Sequence, residues 1–73
     1  MEKEKLLNVF FDNIEGFNNL GSTFIKRGDI EKAIEIFKKK IDYIRYSYEF
    51  EIISLERALQ MMEDTKHLIN ILS

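Results

Sequence analysis

The sequence predicts an all-α protein: an antiparallel helical hairpin closed by a C-terminal helix into a three-helix bundle. Three observations carry this. There is no proline, and all three glycines lie within the first 28 residues. Apolar residues recur at alternating spacings of three and four through most of the chain, the period of one helix face. The dipeptide Gly28-Asp29 joins a residue that ends helices to one that starts them.

The first helix is expected over about residues 4–27, where the early acids Glu2 and Glu4 suit the positive end of a helix dipole. Leu7, Phe10, Ile14, Phe17, Gly21 and Phe24 form its main stripe, widened by Leu6, Phe11, Leu20 and Ile25. Gly21 lies inside the stripe, where a missing side chain lets another helix approach closely. Gly16 is a possible break, since an interior glycine costs ~1 kcal/mol relative to alanine. Continuity of the stripe across it favours one helix.

Gly28 then supplies a left-handed C-terminal cap, and Asp29 an N-cap for the next helix. So short a connection makes the two helices antiparallel neighbours. The second helix, about 29–47, carries Ile30, Ile34, Phe37, Ile41, Ile44 and Tyr48. Beyond it there is neither glycine nor proline. One continuous helix from Asp29 to Ser73 would span roughly 65 Å at 1.5 Å per residue and leave a bare apolar tail. The aromatic and β-branched run Tyr46–Ile53 is a poor helix centre. The favoured expectation is a turn around Ser47–Ser54, with Ser54 capping a third helix over about 51–72. Leu55, Leu59 and Met62 would be its stripe, with Met61, Leu68, Ile69, Ile71 and Leu72 beside it.

Composition narrows the function. Seventy-three residues make one domain without cysteine, hence without disulfide, thiolate metal site or thiol nucleophile. No apolar run approaches a membrane span, and the N-terminus lacks the pattern of a signal peptide, so a cytoplasmic protein is expected. The net charge of −2 is not the footprint of a nucleic-acid binder. Residues 26–45 carry a net +3 between flanks of −2 and −3, which reads as a solvated face or, more sharply, as a site for an acidic segment.

Residues 14–47 resemble one tetratricopeptide repeat, a family with the signature W-x2-L-G-x2-Y and then A-x3-F on a second helix. Phe17 stands at the Trp position, followed by Leu20, Gly21 and Phe24, and Ala33 and Phe37 fall on the second helix. The resemblance implies that Phe17, Leu20, Phe24, Ala33 and Phe37 meet in one cluster, and that the module binds a peptide or helix. Lys40 stands where the family has a small residue, and no second copy of the pattern occurs. Residues 51–72 are then the cover for a face that another repeat would otherwise fill. The three-helix layout also looks like that of microtubule-interacting-and-transport domains.

Catalytic chemistry finds no constellation. His67 with Glu63 and Asp64 has one element of a helical di-iron site but lacks the further carboxylates, so a surface pair is expected. Glu49, Glu51 and Glu56 read as solvated charges. No enzyme, metal or cofactor is therefore expected. Tyr43, Tyr46 and Phe50 share a face, read as core beneath the third helix or as a binding or dimer surface.

The expected function is a non-catalytic protein-interaction module, an adaptor or regulatory protein binding a partner protein or amphipathic helix through an apolar groove. Tyr43, Tyr46, Phe50, Leu59, Met62 and Ile69 are its candidate contacts. The alternative is an obligate homodimer through residues 44–72. A DNA-binding regulator reading Asp29–Lys40 as a recognition helix is disfavoured by the Ile and Glu on its alternate face.

Overall fold

The computed structural model describes residues 2–73, and they form three helices: α1 (Glu2–Lys26), α2 (Ile30–Glu49) and α3 (Leu55–Leu72). There is no strand among the described residues. Helix α1 runs unbroken through Gly16, which faces solvent with nothing near the position of a Cβ. Glu2 and Glu4 open its first turn and Lys26 closes its last, so charges of the right sign meet both dipole ends.

Both reversals use the same backbone device. After α1, Gly28 takes φ +80. Its N–H donates to the Ile25 carbonyl at 3.0 Å, and the Asp29 N–H donates to that of Phe24 at 2.8 Å. After α2, Glu51 takes φ 60. Its N–H reaches the Tyr48 carbonyl at 2.9 Å, and the Ile52 N–H reaches that of Ser47, also at 2.9 Å. These paired bonds are the Schellman closure, which satisfies carbonyls that the last helical turn leaves free. Each following helix is then capped by a side chain. Asp29 accepts from the Lys32 N–H at 3.4 Å, and Ser54 from the Arg57 N–H at 3.2 Å. Helices α2 and α3 are thus separate. Helix α2 runs two residues beyond the expected end, and α3 starts at Leu55, because Glu51 rather than a residue near 47 takes the left-handed position.

Helix α2 is the central element, packed by α1 on one side and α3 on the other. Pairing of Asn13 with Tyr43, Asn18 with Lys40 and Gly21 with Phe37 sets α1 and α2 antiparallel. The main core comprises Phe10 and Ile14 of α1, Ile44 of α2, Ile53 of the second turn and Ala58 of α3. It lies at the end where α1 starts, α2 ends and α3 starts. Full burial of a side chain such as Phe10 or Ile44 is worth roughly 1.5–3 kcal/mol.

Three expectations are corrected. Leu20 is substantially exposed and lines a shallow depression with Phe17 and Tyr43, so it is not a buried core residue as the repeat signature implies. Ala33 and Phe37 are buried as expected, with the Phe37 ring lying over Gly21. On α3, Leu55 and Leu59 are exposed, while Ala58 and Thr65 are the buried positions. Met62, the third residue of the expected stripe, is half-buried against the main core, as is its neighbour Met61. The buried Thr65 hydroxyl donates to the Met61 carbonyl at 2.9 Å. Tyr48, placed in the α2 stripe by spacing, is partly exposed.

Candidate functional site

Apolar side chains left uncovered at the core end of the bundle form a groove of about 470 Å³, lined by Leu6 and Val9 of α1, Tyr43, Tyr46 and Ser47 of α2, and Phe50 and Ile52 of the turn. Spacing explains the walls. Leu6 and Val9 stand three apart on α1, beside the stripe that holds Phe10. Tyr43 and Tyr46 of α2 and the C-capping Phe50 follow at three and four. Ser47 is buried and small, which allows the floor to sit low between the helices.

The groove is packed from below and exposed above. Tyr43 stacks on Phe10 with centroids 5.6 Å apart and planes 13° apart, and it tilts against Phe17 at 5.7 Å. Its hydroxyl accepts from Asn13 Nδ2 at 2.8 Å, so the ring is fixed at both ends. Tyr46 and Phe50 meet edge to face at 4.7 Å, a favoured geometry for aromatic pairs. Both remain largely in solvent: Tyr46 is 59% exposed and Phe50 62%, with Val9 at 52% opposite them. The groove therefore presents a preformed apolar surface with few polar groups.

Of the six residues singled out in the sequence, the structure brings three together here: Tyr43, Tyr46 and Phe50. Their neighbour is the first half of α1, not α3, which corrects the placement beneath the third helix. Leu59, Met62 and Ile69 lie on α3 and line no part of this groove. Leu59 is exposed, Met62 is half-buried against the main core, and Ile69 is half-buried. The sequence reading missed Leu6, Val9 and Ile52 as groove residues. For Leu6 and Val9 the signal was a second apolar spacing on α1, at six and nine, displaced by one residue from the core stripe.

Charged groups near the site do no evident chemistry. Arg45 pairs with Asp42 at 3.4 Å across one exposed turn, an interaction worth little in solvent. His67 is exposed. Asp64 accepts instead from Gln60 Nε2 at 3.3 Å. Among the described residues no group of three or more His, Cys, Asp or Glu is placed to hold a metal ion, and no helix is long and apolar enough to cross a membrane. Among the same residues the one covered cation is Lys40, at 9% exposure, whose Nζ donates to Asn18 Oδ1 at 2.7 Å. Burial holds its amine below the ordinary lysine value, and the nearby charge of Asp64 opposes that shift. Lys40 thus ties α2 to α1 through Asn18. No protein-family model, curated protein or solved structure matches this chain.

Proposed function

We propose that this protein is a non-catalytic interaction module that binds another polypeptide through the Leu6–Val9–Tyr46–Phe50 groove. The observation that carries this reading is the pair of solvent-exposed aromatics, Tyr46 and Phe50, in a groove shared with the exposed aliphatic Leu6 and Val9. Exposed apolar patches rimmed by polar residues mark interaction sites, and aromatics are enriched at their centres. An amphipathic helix with apolar anchors at helical spacing fits a groove between two helices.

The likeness of residues 14–47 to a tetratricopeptide repeat supports the same reading. Gly21 beneath Phe37, the left-handed Gly28 and the buried Ala33 all occupy positions where that family needs them for hairpin packing. In this chain α3 packs against α2, and Lys40 stands where a stacked repeat would require a small residue. The groove is lined by α1, α2 and the second turn and by no residue of α3.

The test compares wild type with Phe50→Glu, first by solution mass and then by capture on the immobilised chain. The wild type should associate, with itself or with another protein, and Phe50→Glu should lose that association while keeping its helical circular dichroism. Association that Phe50→Glu leaves intact would remove the groove from the function.

A further inference from the structure

We infer that Met61 and Met62 form an oxidation-sensitive latch: peroxide converts their thioethers to sulfoxides, and α3 then loosens from the hairpin. The two residues lie on the buried face of α3. Counted from the buried Ala58 they stand at the third and fourth positions, and the buried Thr65 follows at the seventh. At helical spacing, that puts both thioethers between the two small residues that α3 buries.

The first supporting observation is what the pair holds. Helix α3 contributes Ala58 to the main core, and the large apolar side chains it packs against that core are Met61 and Met62. Most of its apolar hold there is therefore thioether. Oxidation places an acceptor oxygen on a side chain that had packed as a hydrocarbon, and a polar group removed from water without a partner is unfavourable. Leu55 and Leu59 offer no substitute, since both are exposed.

The second is access. Met61 and Met62 are half-buried rather than sealed. Met61 also lines an open depression of about 420 Å³ with Ser54, Glu56, Arg57 and Gln60. A water molecule takes about 30 Å³ in the liquid, so a small peroxide enters this space.

The third is the absence of other restraint. Helix α3 packs its backbone against α2 and not against α1. Toward α1 it extends the Arg57 guanidinium, 5.1 Å from the Phe11 ring centroid, and both of these residues are exposed. The chain has no cysteine, so no thiol of its own consumes the oxidant first.

The step balances with hydrogen peroxide alone. A sulfur lone pair attacks one peroxide oxygen, the O–O bond breaks and the S–O bond forms. The proton of the attacked oxygen passes to the departing hydroxide, which leaves as water. Sulfur loses the two electrons that the peroxide gains.

Hydrogen exchange read by mass spectrometry, on the full chain before and after hydrogen peroxide, tests the inference. Two half-buried methionines together carry about the burial of one whole side chain. Their oxidation should therefore speed exchange at residues 58–66 about ten-fold or more. Amides around Gly21 and Phe37 should change less. Reduction by the two methionine sulfoxide reductases, one for each epimer, should restore protection in the wild type. The Met61→Leu, Met62→Leu double variant makes volume-conserving swaps and keeps Met1 as its only thioether. It should show no response to peroxide. Unchanged exchange at residues 58–66, with peptide masses showing both sulfurs oxidised, would overturn the latch. Equal acceleration in all three helices would also overturn it, since the whole fold rather than α3 would then be failing. Sulfurs that stay reduced in the folded protein would refute the access, and a response that persists in the double variant would refute the assignment to this pair.

Discussion

The two turns of this bundle share a hydrogen-bond pattern and differ in the residue that makes it possible. Gly28 enters the left-handed region freely. Glu51 enters it against a steric penalty of about 1–2 kcal/mol for a residue with a Cβ. The compensation lies just downstream. Ile53 is buried in the main core, Ile52 packs against it, and Ser54 caps α3. The first turn is made by its own residues, whereas the second is held by the packing of its downstream neighbours. Local chemistry and tertiary packing thus reach one backbone solution by different routes.

The strongest way to break this comparison is at Ile53. Ile53→Ala should destabilise the protein by ~2–5 kcal/mol, most of what a core of this size supplies. Urea denaturation monitored by circular dichroism would show it. A midpoint shifted no further than in Gly28→Ala would mean that packing does not hold the second turn.

Next in size is Gly21→Ala, near the first turn. A Cβ there would stand 2.8 Å from the Cε1 and Cε2 atoms of the buried Phe37 ring. Overpacking should cost ~1–3 kcal/mol, against a helix-propensity gain of ~1 kcal/mol. A variant with a raised melting temperature would show that the ring yields freely and that the crossing is not tight.

The turns themselves should respond in opposite directions. Gly28→Ala should lose about 1 kcal/mol by forcing a Cβ into the left-handed region, and Glu51→Gly should gain up to about 1 kcal/mol by removing one. Measuring both in one denaturant series sharpens the contrast. If Glu51→Gly is destabilising, the strain assigned to the second turn is not there.

The smallest effect is expected at Lys40, which lies between the two ends and should be insensitive to either turn. Its folded amine releases its proton at lower pH than the ordinary 10.5. Between those two values the unfolded chain binds more protons, so stability should rise as pH increases through that window. Lys40→Met should remove this contribution without emptying the site. An unchanged alkaline profile in Lys40→Met would show that the amine is solvated when folded.

Much of the hairpin was legible because its signals are local. Phe10, Ile14 and Gly21 of α1 and Phe37 and Ile44 of α2 are buried at the positions that their spacing indicates. Gly28 and Asp29 each do what their type favours. The face of α3 was partly legible: Met62 packs against the core as its spacing indicates, whereas Leu55 and Leu59 are exposed and Ala58 and Thr65 take the buried positions. The groove was half legible. The spacing of Tyr43, Tyr46 and Phe50 put them on one side of α2, but spacing within a helix does not say which neighbour that side meets. Leu6 and Val9 belong to the site only because of where α1 sits against α2, which no window of sequence contains.

The placement of α2 between its two sequence neighbours also bears on how the protein reaches its native state. Nearly all of its packing joins helices that are consecutive in the chain, so each docking step closes only a short loop. Chains with such local topology fold on microsecond to millisecond timescales. Helix α3, held from one side and anchored mainly near Ile53, is the segment expected to exchange its amide hydrogens first. The chain should therefore spend little time with its apolar end unguarded during folding, which limits the chance for exposed Tyr46 and Phe50 to meet other unfolded chains.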